Sequence, residues 1–357
     1  NEGESIPDKS ILTIIHLGTT IYREDLPNLE PREETIVEPE IKLPKGEHPL
    51  VIRLIWKKLS RTTFTDKKIV VVGAGKDITV LKASEQYALD DERRGVISGT
   101  HLIIKNLTID CNNKFAVGTG LLHSSAERLV VENVKVLNYI NYGISFDHYQ
   151  GVGYLDYVII RDTEIVGDGN NEAVLGTYTK RFILDNVYIE ANKPMWLADI
   201  HTIFARRVTA MIKDWSLTFR GRRIYVDDVY VERASENSHK ELLVFQSNYA
   251  HTEEYSNTII EAGKIIVVNP YNDVEAHLEI QPYSDTCYIE EAIFDQIILD
   301  GAILNTSAGN GTHSKVEKLY INTLITKNVN FGLINGIRVV DTDVHIVINK
   351  VYVKGVV

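Results

Sequence analysis

The sequence predicts an all-β chain wound as a right-handed parallel β-helix, a solenoid with an N-terminal cap. Three observations lead there. A strand-like segment of nine residues recurs along the chain. Its fifth residue is repeatedly Asn or Asp. Between copies lies a second, shorter strand and no amphipathic helix of useful length, which argues against βαβ units and leucine-rich horseshoes.

The copies are Leu102–Asp110, Leu129–Leu137, Val158–Val166, Phe182–Glu190, Ile224–Glu232 and Ile346–Lys354, with a fainter one at Leu319–Lys327. Each alternates apolar residues and favours β-branched ones, the signature of a strand with one buried face. Shorter strands are expected at Tyr142–Phe146, Ala173–Thr177, Met195–Ile200, Trp215–Arg220, Leu242–Ser247 and His277–Tyr283. The fifth residues Asn106, Asn133, Asp162, Asn186 and Asp228 fall where a coil must turn. They are expected to bond along the stack as a ladder, with Asn133 and Asn186 buried and their amides on backbone. Residues 1–68 differ in pattern, with a strand at Ile11–His16 and a Pro- and Glu-rich loop around Pro27–Pro39. They read as the cap and first coil elements, with the β-helix over residues 69–357.

The segment Lys68–Leu81 (KIVVVGAGKDITVL), followed by GTHLIIKNLTIDCNN, resembles the opening coils of the pectin-lyase-like superfamily, of the pectate-lyase-3 and phage-tailspike types. The resemblance covers roughly residues 45–357 as architecture. It implies the fold and leaves the reaction open, because that superfamily holds lyases, hydrolases, esterases, tailspikes and adhesins. The signatures of its pectinolytic members are missing. There is no intact paired-aspartate, Gly-His-Gly or Arg-Ile-Lys element and no Arg-x-Pro-x-x-Arg segment; Arg220-Gly221-Arg222-Arg223 is basic but differently ordered.

Composition narrows the partners. A net charge of -11 with interspersed signs disfavours a nucleic-acid surface and suits a neutral or cationic ligand. Cys111 and Cys287 are the only cysteines, far apart and without metal-ligand spacing, so no disulfide framework is expected. Two Met among abundant Ile, Val, Tyr and Glu hint at a heat-adapted source. No apolar run is long enough for a membrane helix. The chain opens Asn1-Glu2-Gly3 without a signal-peptide pattern, as a processed or excised chain would. Of its sequons, Asn305 and Asn310 are better glycosylation candidates than Asn106. Gly73-Ala74-Gly75-Lys76 is followed by Asp77, so it is read as an early turn with Gly at positive φ, not as a phosphate loop.

Equivalent positions of adjacent coils lie about 4.8 Å apart, so outward residues of the short-strand face form a ladder. Asp147 and Asp199, if two coils apart, would stand roughly 9–10 Å from each other, the upper end of the inverting-glycosidase range. His201 or Arg220 would then steady charge on a substrate. His148, Tyr178, Trp196, Trp215, Gln246 and Glu279 are the ligand-binding candidates. Both tryptophans have a core-packing alternative. No metal and no cofactor is expected. Two functions stay open. The first is an extracellular, cell-surface or virion rod that binds a polysaccharide or surface glycan as an adhesin or structural component. The second is a polysaccharide hydrolase or lyase acting through carboxylates on the short-strand face. The final strand, ending at Val357, leads to an expectation of self-association, as a trimer or head-to-tail fibre, or of a chain cut from a longer one, the alternative being a loop of the chain itself folded over the end.

Overall fold

The computed structural model describes residues 10–16, 19–26, 50–55, 68–82, 97–98, 101–114, 117–118, 128–146, 154–247, 257–271, 274–283, 287–306, 315–328, 337–339 and 344–354. Every regular element among them is a strand. Ser10–His16 is the centre of a three-stranded antiparallel sheet, between Thr19–Leu26 and Leu50–Ile55. The remaining strands all pair in parallel, each with its equivalent in the next coil, as a parallel β-helix requires. Pro27–Pro39 lies outside the described residues.

The register follows the repeat. Ile69, Leu102, Leu129 and Val158 pair in one row, and Ile203, Ile224, Ile260, Ala292, Leu319 and Ile346 continue the same position. Three coils therefore begin where the sequence pattern was silent, at Ile203, Ile260 and Ala292. Their fifth residues are Arg207, Lys264 and Gln296, so the Asn/Asp marker is absent while the apolar spacing persists.

Within a long strand the inward positions are the first, third, sixth and eighth: Leu102, Ile104, Leu107 and Ile109 are all buried. Strict alternation would place the fifth residue inward. It is turned outward because Asn106, Asn133, Asp162, Asn186, Arg207 and Asp228 adopt φ of 50–57°, the left-handed region that Asn and Asp tolerate best. The expected ladder exists. Asn133 Nδ2 donates to Asn106 Oδ1 at 2.9 Å, and Asn186 Nδ2 to Asp162 Oδ1 at 2.6 Å. Its expected burial does not hold. Asn133 is half-buried and Asn186 exposed, and their amides reach side chains, not backbone, because the turn tips two consecutive side chains outward.

Tyr157–Ile212 runs as one uninterrupted strand through successive coils, taking its corners at single left-handed residues, among them Tyr178 at 45° and Asp199 at 52°. Gly73 occupies the fifth position of the first coil and is needed for space: a Cβ there would lie 2.3 Å from the Asn106 carbonyl oxygen. The positive φ expected in this turn falls on Gly75 and not on Gly73. Gly167 and Gly169 likewise make room, in their case for the buried ring of Tyr139. Cys111 and Cys287 are buried and form no disulfide.

Candidate functional site

The short strands expose nothing on their inner side, where Leu217, Phe219, Leu243, Phe245, Leu278 and Ile280 fill the core. Their outward residues form rows across coils. Thr218, Val244, Glu279, Asn305 and Arg338 make one; Arg220, Gln246 and Gln281 make the next. These outward residues are not solvent-exposed: Arg220 is 4% and Glu279 2% accessible, and Gln246 is also buried. A charged group held this deep must have partners, and two polar nodes supply them.

The first node is Arg220. Its guanidinium carbon lies 4.0 Å from the ring centroid of Tyr283 and 5.0 Å from that of Trp196. Nε donates to Gln246 Oε1 at 2.7 Å. Burial pulls its pKa down to about 10, while Tyr283 and Asp199 favour the charge, so it stays protonated at neutral pH. Four of the residues proposed from sequence, Arg220, Trp196, Gln246 and Asp199, thus belong to one neighbourhood.

The second node gathers around His277, which is 0% accessible. Glu241 and His277 pair across adjacent strands, and Glu279 follows two residues on, on the same outward side. Ligand atoms of the three lie within 4.8 Å of one another. His277 Nε2 is 2.7 Å from Glu275 Oε1, which also receives Arg338 at 2.6 Å. Burial alone would raise the Glu275 carboxyl, but His277 and Arg338 outweigh it and hold it below its ordinary value. Asn305 Nδ2 donates to Glu279 Oε2 at 2.7 Å, and His239 Nδ1 contacts Glu241 Oε2. Asn305, expected as a glycan acceptor, is therefore buried with its amide in use.

Arg233 braces this node from within. It is 1% accessible and its Nη2 donates to the carbonyls of Ser238, His239 and Glu275 at 3.2, 2.7 and 3.1 Å. It thereby ties together the segments that lead into Glu241 and His277. Sequence reasoning missed Glu241, His277 and Arg233. Glu241 and His277 are separated by more than thirty residues, and only the coil register joins them.

Of the other proposed residues, Asp147 and His148 lie outside the described residues, so the spacing of Asp147 from Asp199 is not defined. Asp199 is buried at its corner. Tyr178 and His201 both pack on Tyr154, with ring centroids at 5.8 and 4.5 Å. His201 shares a depression of about 290 Å³ with Arg222, Arg223 and Asn257. Burial lowers its pKa, and Arg222 and Lys180 add to the effect. Trp215 is 46% accessible, stacked on His239 at 4.5 Å.

A larger depression lies elsewhere. A groove of about 830 Å³ runs along the outer side of the long strands, from Ile183 to Asn349. Each coil contributes its second and fourth residues. The second positions are Ile183, Phe204, Tyr225, Glu261, Ile293, Tyr320 and Val347; the fourth positions include Asp185, Asp227, Asp295, Asn322 and Asn349. Phe204 is 43% accessible, and it stacks on Tyr225 at 5.2 Å with the planes 13° apart. Seven coils at about 4.8 Å each make the groove roughly 30 Å long.

Comparison with known proteins finds no matching family model, no matching curated protein and no matching solved structure.

Proposed function

We propose that the chain is a carbohydrate-binding β-helical rod, and that an extended glycan lies in the groove along its long strands. One observation carries this. The groove is open, and most of its coils repeat an apolar or aromatic residue beside a carboxylate or amide. Ring faces pack against the apolar faces of sugars, and Asp and Asn side chains suit hydroxyl groups. A linear polymer would meet this pairing at most coils, the exceptions being those of Phe204 with Arg206 and of Glu261 with Gly263. The short-strand candidates support direct sugar contact less well, because Arg220, Gln246 and Glu279 are buried. Arg206 in the same groove pairs with Asp185, and the remaining carboxylates of Asp227, Glu261 and Asp295 favour a neutral or cationic glycan over a polyuronate.

The test is a binding screen of soluble polysaccharides, neutral, amino and acidic. Phe204→Ala and Tyr225→Ala are each expected to weaken binding by about three- to tenfold, with Trp215→Ala without effect. The opposite pattern would move the site to the short-strand side. No binding to any of the panel would end the proposal.

A second reading, cleavage of the polymer, draws on the convergence of Glu241 and Glu279 at His277. It is separated from binding by release of reducing ends or of unsaturated product on the same panel. Membership of the pectin-lyase-like superfamily, and a place outside the cell or on a virion, fit a glycan-binding rod and form part of this proposal. So does self-association: Val351, Tyr352 and Val353 of the strand His345–Lys354 are exposed together. Light scattering tests it, with Tyr352→Lys expected to favour the monomer.

A further inference from the structure

The His277 node contains an arrangement that carbohydrate binding does not explain. Glu275 Oε1, a carboxylate oxygen, can only accept from His277 Nε2 at 2.7 Å, so Nε2 carries a proton. The opposite nitrogen, Nδ1, is fully buried and makes no hydrogen bond. Its nearest acidic oxygen, Glu279 Oε2, is 3.5 Å away and already receives the Asn305 amide at 2.7 Å. A protonated Nδ1 would have a hydrogen bond to donate in such surroundings, and none is formed. A neutral ring instead sets its Nδ1 lone pair 3.5 Å from the Glu279 carboxylate, with a Glu241 oxygen in the same cluster, which is repulsive unless a cation stands among them.

We propose that His277 Nδ1, Glu241 and Glu279 bind one divalent transition-metal ion. The donor atoms lie within 4.8 Å of one another, so small rotations of the two glutamates bring all three onto one ion. One imidazole with two carboxylates suits zinc or manganese better than calcium or magnesium, which prefer all-oxygen sets. Each donor has an outer partner that fixes its orientation: Glu275 on His277, Asn305 on Glu279 and His239 on Glu241. Such carboxylate–histidine–metal relays set the tautomer and aim the lone pair. The inference is independent of what the rod binds.

The test begins with the full chain stripped by a chelator and titrated calorimetrically with Zn²⁺, Mn²⁺, Ca²⁺ and Mg²⁺. One equivalent of Zn²⁺ or Mn²⁺ is expected to bind and to raise Tm by several degrees, with Ca²⁺ and Mg²⁺ much weaker. Glu241→Gln, at a half-buried position, should weaken binding about 100-fold or more, and Asn305→Ala about 10- to 100-fold. His345→Gln, remote on the last long strand, should leave it unchanged. Circular dichroism of the metal-free variants separates lost binding from lost fold. Nitrogen NMR on the metal-free wild-type chain gives a readout that needs no variant: Nδ1 should show the shift of an unprotonated ring nitrogen and move on metal addition. An imidazolium signal at His277 would overturn the proposal. So would no binding at millimolar metal, or binding unaffected by Glu241→Gln in a folded variant.

Discussion

At the residue scale, the left-handed fifth position governs stability. Asn186 at φ 57° meets a conformation that costs most residues about 1–2 kcal/mol, and it also bonds Asp162. Asn186→Ala should therefore lower unfolding free energy by about 1–2 kcal/mol, measured by urea denaturation. Arg207 holds the same conformation without a local side-chain bond to its own turn, and its pair with Asp185 is on the surface. Arg207→Asn should be neutral or stabilising by up to about 1 kcal/mol. If both substitutions destabilise equally, the backbone account is wrong. Arg233 presents the contrast. Its charge is solvated by carbonyls of three residues, so Arg233→Met should cost at least about 2 kcal/mol by orphaning them.

At the element scale, neighbouring coils are locked by side chains that cross from one to the next. The Phe146 ring lies where a Cβ on Gly176 would sit, 2.0 Å from it. Gly176→Ala should thus cost about 1–3 kcal/mol through overpacking. An unchanged Tm for Gly176→Ala in thermal melts would show that Phe146 relocates freely. The coils at Ile203, Ile260 and Ala292 illustrate how an element escapes notice. Their apolar spacing survives, but Arg207, Lys264 and Gln296 replace the marker; of the three only Arg207 takes the left-handed turn, in a coil paired with one that carries the marker at Asp228.

At the scale of the molecule, ion pairs between coils couple the rod to pH. Lys76 and Lys135 both reach Glu164, at 2.5 and 3.3 Å, and pull its carboxyl below the ordinary value; the bond from Lys76 is the main cause. Arg206, then Arg207, do the same for Asp185, and Lys213 for Glu190. A carboxyl whose folded pKa is depressed contributes stability that is present above its unfolded pKa and lost as pH falls through the folded one. Urea midpoints should therefore fall as pH drops below about 4.5, and Glu164→Gln should flatten part of that slope. A midpoint independent of pH across that window would remove these pairs from the account.

The sequence by itself determined the solenoid. Apolar residues at fixed offsets and Asn or Asp at the turn, as in LIIKNLTID and LVVENVKVL, specify a strand that bends once, and repetition then requires stacking. It also brought Trp196, Arg220 and Gln246 to one face, because residues at like positions of neighbouring coils must be neighbours. It left three matters undecided. Whether Asn186 faces in or out depends on a backbone angle, and the side-chain types on either side do not reveal it. Of the stacked groove residues Phe204 and Tyr225, Phe204 lies in a coil whose fifth residue, Arg207, is not the Asn or Asp marker. The meeting of Glu241, His277 and Glu279 needs the pairing of two coils of unequal length, and strand register across a variable turn is decided by the hydrogen-bonded sheet as a whole.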